Sequence, residues 1–210
     1  MAAFVSLGPV TRLVVGFDLD MTLVDSRPGI GATYRALAEE TGTFIDVDLV
    51  TSRLGPPLEA ELAHWFEPEQ VPQVADRYRA LYPDLAIPRV ELLPGAREAV
   101  QAVLDAGGEA FVVTGKNGRN AALHLQHLAI DLDVVGEVWR EGKADVFRAR
   151  GVTAYVGDHV HDMEACRSAD VVGVAVPTGP CSPDELRAAG ADHVVDDLHG
   201  VVGLVPDLSR

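Results

Sequence analysis

The chain has 210 residues, of which 48% are hydrophobic and 23% charged, a composition typical of a globular protein with one core domain and a smaller insertion. Its 32 acidic and 17 basic side chains give a formal net charge of −15, which disfavours binding to nucleic acid or to an anionic membrane surface. No apolar run reaches the roughly 20 residues of a membrane-spanning helix, and MAAFVSLGPV at the start lacks the features of a signal peptide.

The two cysteines, Cys166 and Cys181, lack the number and spacing of a disulfide framework or a zinc site. We therefore expect reduced thiols and a cytoplasmic protein. The sequence does not indicate an oligomeric state.

The first strand-like run, LVVGF at 13–17, is followed by a long stretch with a different pattern. Between 25 and 90 the apolar residues follow helical spacing and no strand-like run occurs. This pattern predicts an all-helical cap at 25–90, inserted into an α/β core that comprises 1–24 and 91–210. The four expected cap helices lie within 30–38, 49–54, 58–66 and 71–81.

After residue 90, short β-branched apolar runs alternate with helical patterns. The runs have the continuous apolar character of strands that are covered on both faces of a parallel sheet. Their alternation with helices predicts a doubly wound, Rossmann-like α/β fold. The expected strands are 110–113, 153–157 and 171–176, and the expected helices are 94–107, 118–128, 143–150, 161–169 and 183–189.

Polar side chains follow the ends of the predicted strands, which is where open α/β sheets bind ligands. Several carboxylates at one edge need a cation or protonation to offset their repulsion, and carboxylate oxygens suit Mg²⁺. Together with a lysine and a threonine hydroxyl, such a set suits phosphoryl transfer, in which a carboxylate attacks phosphorus. The residues are Asp18, Asp20, Thr114, Lys116, Asp158 and Asp162.

Four segments, in this order, resemble the motifs of the haloacid dehalogenase superfamily of phosphohydrolases. They are DLDMTLVDS at 18–26, VVTGK at 112–116, Lys143, and GDHVHD at 157–162. The resemblance covers nearly the whole chain. It points to the branch with a helical cap between the first two motifs, and the cap is similar to those of phosphoglycolate phosphatases and some nucleotidases.

The resemblance implies a catalytic role for four residues. Asp18 would attack phosphorus to form an aspartyl-phosphate, and Asp20 would act as the general acid and then as the general base. Thr114 would hydrogen-bond the phosphate, and Lys143 would hold the nucleophile and the phosphate together.

The resemblance also implies a magnesium site. The Asp18 carboxylate, the Asp20 carbonyl and Asp158 would hold Mg²⁺, while Asp162 would place a metal-bound water or orient Lys143. Thr22 would support the turn after the nucleophile. The family usually has glycine where this chain has Met21, so the turn must accept a side chain.

The implied function is Mg²⁺-dependent hydrolysis of a small phosphomonoester, such as a phosphoglycolate-like acid, a sugar phosphate or a nucleoside monophosphate. A sugar-phosphate mutase and a catalytically silent binding protein of the same fold stay open as alternatives. Asp20 argues against a dehalogenase. The absence of lysine between 25 and 90 argues against phosphonate cleavage, which would need a Schiff-base lysine in the cap.

Two cationic residues and two histidine pairs have alternative interpretations. Arg53, beside the rigid Gly-Pro-Pro turn, either binds an anionic group of the substrate or ends a helix. Lys116 either lies near the phosphate or is a solvated loop residue. We expect His159 and His161 at the surface or behind the metal ligands, and His124 with His127 on the polar side of their helix.

Overall fold

The computed structural model describes residues 12–208, so the signal-peptide expectation for MAAFVSLGPV and the predicted core residues 1–11 and 209–210 lie outside the described residues. No helix in the described part is long and apolar enough to cross a membrane. The strands in chain order are β1 (Val14–Phe17), β2 (Val24–Asp25), β3 (Glu91–Leu92), β4 (Glu109–Val113), β5 (Asp133–Val135), β6 (Ala154–Gly157), β7 (Val172–Ala175) and β8 (His193–Val194).

Helices separate most of these strands along the chain, and a short 3₁₀ helix spans Ile87–Arg89. The helices are α1 (Arg27–Thr41), α2 (Val47–Ser52), α3 (Leu58–Leu62), α4 (Val71–Leu85), α5 (Ala96–Asp105), α6 (Gly118–His127), α7 (Glu141–Arg150), α8 (Val160–Ala169), α9 (Pro183–Ala189) and α10 (Leu198–Leu204).

Six parallel strands form the central sheet in the order β5-β4-β1-β6-β7-β8, while β2 and β3 form a separate antiparallel pair. Successive residues of the strands alternate between two apolar clusters, one containing Val15 and the other Val14. The first cluster includes residues of α5 and α10, and the second includes residues of α7, α8 and α9. Helices therefore cover both faces of the sheet, which confirms the predicted doubly wound α/β fold.

The register of the sheet aligns the ends of the three strands that precede the motifs. Phe17 at the end of β1 lies opposite Val112 of β4 and Val156 of β6. Because the three strands are parallel, the residues that follow them emerge at the same edge. This register brings together the first, second and fourth motifs.

Helices α1 to α4, called the cap helices below, lie between β2 and β3 in the chain and surround an apolar cluster of their own. Tyr78 and Tyr82 on α4 and Tyr34 on α1 belong to this cluster. Helix α4 extends beyond the predicted end at 81 and includes Pro83. Pro83 has no backbone N–H, so the helix loses one hydrogen bond there, and the burial of the neighbouring Tyr82 side chain offsets the lost stabilisation. The division into a cap at 25–90 and a core stays a prediction.

Candidate active site

The turn after β1 presents Asp18 at the edge of the sheet. The Asp18 amide donates to the carbonyl of Val156 on β6 at 2.8 Å, which fixes the start of the turn. Met21, which stands where glycine is usual, has a φ of 60° and is buried. Left-handed backbone is uncommon for residues with a side chain. The Thr178 hydroxyl donates to the Met21 carbonyl, so the turn accepts the side chain with support from a neighbouring loop.

Lys143, on α7, is buried and places its ammonium between two carboxylates. Its Nζ donates to Asp18 Oδ1 at 3.0 Å and to Asp162 Oδ1 at 2.6 Å. A third bond, 2.9 Å long, goes to the hydroxyl of Tyr155, which in turn donates to the Val113 carbonyl at 2.7 Å. All three ammonium protons are therefore used, which fixes the position of the charge.

Tyr155 is a positioning residue that the sequence did not reveal. It lies within β6, where its pattern indicates only a buried strand residue. A buried tyrosine usually finds a hydrogen-bond partner for its hydroxyl, but the sequence does not show which residue that partner is.

Three buried carboxyl groups, Asp18, Asp158 and Asp162, form an acidic cluster in which the closest oxygens lie within 4.8 Å of one another. Thr22 donates its hydroxyl to Asp158 Oδ1 at 3.0 Å, so it supports this cluster as well as the turn. Asp162 accepts the His159 amide at the start of α8 at 3.3 Å. The sequence placed Asp162 in a supporting role, and the structure brings its carboxyl group into the cluster itself.

The electrostatics of the acidic cluster suit a divalent cation. Burial, assisted by the charges of Asp162 and Asp20, raises the pKa of Asp18 to about 7 despite the opposing effect of Lys143. Burial and the charges of Asp18 and Asp162 also raise the pKa of Asp158 well above its ordinary value. A hard cation with oxygen ligands would relieve this repulsion, so the donor set fits Mg²⁺.

Asp20 lies outside the acidic cluster and pairs with Lys116. The Lys116 ammonium donates to Asp20 Oδ1 at 2.6 Å, and it also lies 4.8 Å from the ring centre of Tyr82. Burial alone would raise the pKa of Asp20, but the charge of Lys116 lowers it below its ordinary value. Of the two interpretations of Lys116, the structure favours the one near the site.

His124 is completely buried behind Tyr82, so the expectation that it lies on the polar side of α6 is wrong. The Tyr82 hydroxyl and His124 Nε2 form a hydrogen bond of 2.9 Å. Burial, together with the charge of Lys116, lowers the pKa of His124 to about 3, so the ring is neutral at pH 7. His127 is exposed, as expected.

A cavity of about 290 Å³ lies between the core and the cap helices. Thr114 lines it from the end of β4 and accepts the Lys116 amide at 3.1 Å on its hydroxyl oxygen. Thr22 is the predicted site residue that lies outside the lining. The others border the cavity: Asp18, Asp20, Arg53, Thr114, Lys116, Lys143, Asp158 and Asp162.

Arg53 borders the cavity from the cap, and its guanidinium is already paired. Its Nε and Nη2 donate to the two oxygens of Glu61 at 3.0 and 2.7 Å. The indole nitrogen of Trp65 donates to the same carboxylate at 2.8 Å. A two-point ion pair of this kind fixes both side chains.

Trp139 borders the cavity between a core loop and a cap loop. A Cβ atom at Gly55 in the cap would lie 3.5 Å from the indole, and one at Gly115 in the core would lie 3.3 Å from it. The rings of His159 and His161 also contact the indole, with centroid distances of 5.9 and 5.3 Å. His159 Nδ1 accepts the His161 amide at 3.2 Å, so this ring caps α8.

Comparison with protein families identifies the chain. A family model described as haloacid dehalogenase-like hydrolase matches residues 15–167. The chain belongs to this family. A second, HAD-hydrolase-like model matches residues 137–201. The matches confirm the family inferred from the four motifs and the expectation that the chain is a hydrolase.

Individual relatives of this haloacid dehalogenase-like hydrolase match over most of its length. It is 28% identical to "Probable phosphatase IndB" of Dickeya dadantii (strain 3937), over 90% of this chain and 92% of the relative. It is also 28% identical to a 5'-nucleotidase of Pseudomonas aeruginosa, over 87% of this chain and 90% of the relative.

A solved structure shares the fold of the hydrolase. The haloacid dehalogenase-like family protein SP0104 from Streptococcus pneumoniae superposes with a TM-score of 0.78, and the match covers 91% of this chain and 97% of the other. The two sequences are 21% identical, so the likeness concerns the fold.

Proposed function

We propose that this hydrolase is a phosphatase that cleaves a small phosphomonoester with Mg²⁺ through an aspartyl-phosphate on Asp18. The observation that carries the proposal is the position of Lys143, whose ammonium bonds both Asp18 and Asp162 beside a cavity. A nucleophilic carboxylate, a fixed cation and a set of metal-binding oxygens are the groups that phosphoryl transfer requires. The names of the two full-length relatives support the same activity.

In the first half-reaction, an Asp18 oxygen would form a bond to phosphorus while the bond from phosphorus to the leaving-group oxygen breaks. Asp20 would give its proton to that oxygen, so the leaving group departs as an alcohol. The lowered pKa that Lys116 imposes leaves Asp20 ionised in the free protein, so Asp20 would take up this proton as the anionic phosphate of the substrate binds beside Lys116.

In the second half-reaction, the Asp20 carboxylate would take a proton from water as the water oxygen attacks phosphorus. The bond between Asp18 and phosphorus then breaks, which releases phosphate and restores both carboxyl groups. Lys143 would neutralise charge on the transferring group, and the Thr114 hydroxyl would hydrogen-bond it.

The metal would be held by Asp18, Asp158, Asp162 and the carbonyl of Asp20. When bound, Mg²⁺ supplies positive charge that neutralises the carboxylates and the phosphate. Chelator should stop turnover, added Mg²⁺ should restore it, and Ca²⁺ should restore it poorly because it prefers looser coordination of higher number. Full activity in chelator would exclude this metal requirement.

The deciding experiment is a screen of the purified chain with Mg²⁺ against a panel of phosphomonoesters, with phosphate release as the readout. We expect hydrolysis by the wild-type chain and none by Asp18→Asn. A sugar-phosphate mutase would instead isomerise its substrate without net phosphate release. Binding without turnover of any substrate would support the silent binding protein.

We further propose that the cap helices form the predicted cap over the phosphate site. The cavity between them and the core supports this division, because groups from both sides border it. The partner is then a small phosphorylated metabolite, with no role for nucleic acid or membrane. The cytoplasmic location stays a prediction from composition.

A further inference from the structure

The cap side of the cavity carries a row of aromatic rings. Tyr34 on α1 and Tyr78 on α4 have ring centres 4.8 Å apart, and Tyr78 and Tyr82 have ring centres 5.6 Å apart. All three tyrosines border the cavity, as does the indole of Trp139 from the core. Burial raises the pKa of Tyr34 and Tyr78 far above the ordinary value, so both phenols stay neutral at pH 7.

The charged side chains on the cap side of the cavity neutralise one another. Two arginines and two glutamates of the cap helices and their loops border the cavity. Arg53 is paired with Glu61 by two hydrogen bonds, and Arg79 is paired with Glu59. Their formal charges cancel, so among the described residues the cap presents no unpaired cation to the cavity.

The two lysines on the core side of the cavity are already paired with carboxylates of the protein. Lys143 is bonded to two carboxylates and Lys116 to Asp20. Glu137 adds a negative charge to the lining, while Asn120, which is buried, offers an uncharged amide. A carboxylate on the leaving group would therefore be taken out of water without a counter-ion, which is costly.

We infer that the natural substrate is a phosphomonoester whose leaving group is uncharged and carries a flat ring. The inference rests on the proposed phosphatase function and names its substrate class. Flat rings stack favourably on tyrosine and tryptophan, and the Asn120 amide can donate to and accept from polar ring atoms. The cavity of about 290 Å³ lies at the lower end of the volumes of ligand pockets, which are about 300–1,000 Å³, so it limits the leaving group to a small ring system.

This inference replaces the expectation that Arg53 binds an anionic group of the substrate. Arg53 borders the cavity, but the charge of its guanidinium is neutralised by Glu61, whose carboxylate also accepts a hydrogen bond from Trp65. Binding a substrate carboxylate would require breaking that ion pair.

The test compares the kcat/KM values of substrates that differ in one property. The charge arm uses 4-carbamoylphenyl phosphate and 4-carboxyphenyl phosphate, which share a ring and nearly the same shape. We expect the carbamoyl compound to be preferred by about tenfold or more, equivalent to about 1.4 kcal/mol. The ring arm uses uridine 5'-monophosphate and glycerol 1-phosphate, both with uncharged leaving groups, and we expect the uridine compound to be preferred.

A matched pair of variants tests whether the cap charges cause the preference. Glu61→Gln removes the carboxylate that neutralises Arg53 but keeps an acceptor for Trp65. We expect it to narrow the preference for the carbamoyl compound about tenfold, because the guanidinium charge becomes available. Glu40→Gln is the control, since Glu40 forms a similar two-point ion pair with Arg77 in the cap helices but neither residue borders the cavity.

The outcomes separate the inference from the proposed function. If no phosphomonoester is hydrolysed, the proposed function fails and the inference falls with it. Hydrolysis could instead occur with equal kcat/KM for the carboxyl and carbamoyl compounds, or with equal kcat/KM for glycerol 1-phosphate and the uridine compound. Either result overturns the inference and leaves the proposed function intact. If both expected preferences are observed, the kcat/KM values of the carbamoyl and uridine compounds show whether the protein prefers an aryl or a nucleoside leaving group.

Discussion

The ammonium of Lys116 lies 2.6 Å from Asp20 Oδ1, and this ion pair connects the second aspartate of the first motif to the cap. The connection runs through Tyr82 on α4, whose ring lies 4.8 Å from the same ammonium and whose hydroxyl bonds His124. The group that we propose as the general acid is thus fixed by residues of the core and of the cap helices.

Removing the charge of Lys116 should destabilise the protein. We expect Lys116→Met to lower the free energy of unfolding by about 1–3 kcal/mol at pH 7, because a largely buried carboxylate loses its partner. Urea unfolding in the presence of chelator measures the effect. In an Asp20→Asn background, Lys116→Met should lower the free energy of unfolding by a smaller amount. Equal losses in both backgrounds would show that the ion pair contributes nothing to stability.

Removing the proton carrier should slow catalysis without preventing attack. We expect Asp20→Asn to reduce turnover by about 10²- to 10⁴-fold, the usual range for the loss of a general acid or base. The aspartyl-phosphate on Asp18 should then be easier to trap in rapid-quench experiments, because its hydrolysis lacks a base. An unchanged rate with a substrate that has a poor leaving group would contradict the role of Asp20.

Asp18→Asn should abolish turnover and yet stabilise the metal-free protein. An amide cannot attack phosphorus, which explains the loss. The pKa of Asp18 is raised from 3.8 to about 7 by burial and by neighbouring carboxylates, so its ionised form is unfavourable in the folded state. The substitution removes this unfavourable free energy. Active-site residues commonly lower the stability of the folded protein in this way.

The pH dependence of that stabilisation follows from the direction of the pKa shift. Because the unfolded state releases the Asp18 proton first, the wild-type protein loses stability as the pH rises from about 4 to about 7. Thermal unfolding in chelator should therefore show the greatest advantage of Asp18→Asn at pH 7 to 8, and little near pH 4. Saturating Mg²⁺ should reduce the advantage, since the metal offsets the repulsion in the wild-type chain. A lower Tm of the variant in chelator at pH 8 would contradict this account.

The sequence predicted the parts of the fold and site that depend on local patterns. The strand that ends at Phe17 and the residues that follow it are readable, because a continuous apolar run followed directly by acidic residues is typical of a buried parallel strand that ends at a polar sheet edge. The short edge strands β5 and β8 and helix α10 were missed. Strands of three and two residues carry too little periodicity to distinguish them from loops.

The parts of the site that depend on tertiary contacts were not predictable. Tyr155 has no local signal for its bond to Lys143, since the two residues meet only when α7 packs on the sheet. His124 has helical spacing with the exposed His127, yet it is buried because α4 covers that face of α6. The charge of Arg53 was visible in the sequence, but its neutralisation by Glu61 depends on how the loop between α2 and α3 folds.

The buried hydroxyl of Thr22 should tune the affinity for Mg²⁺. It donates to Asp158 Oδ1 at 3.0 Å, and this bond favours the ionised form of a carboxyl group whose pKa is otherwise raised by burial and by Asp18. Thr22→Val keeps the shape but removes the donor. A hydrogen bond to a charged group is worth about 1.5–3 kcal/mol, so the Mg²⁺ concentration for half-maximal activity should rise about tenfold or more.

The matched control for this substitution is Thr33→Val in the cap. Thr33 is also buried, its hydroxyl donates to the Gly29 carbonyl at 2.9 Å, and neither of these two residues borders the cavity. Thr33→Val should lower stability without changing the Mg²⁺ requirement. The effect of Thr22→Val on Mg²⁺ should grow as the pH falls below 7, because protons then compete more successfully for the acidic cluster. If both variants change the Mg²⁺ concentration for half-maximal activity equally, the Thr22 hydroxyl supports only the fold and does not stabilise the ionised form of Asp158.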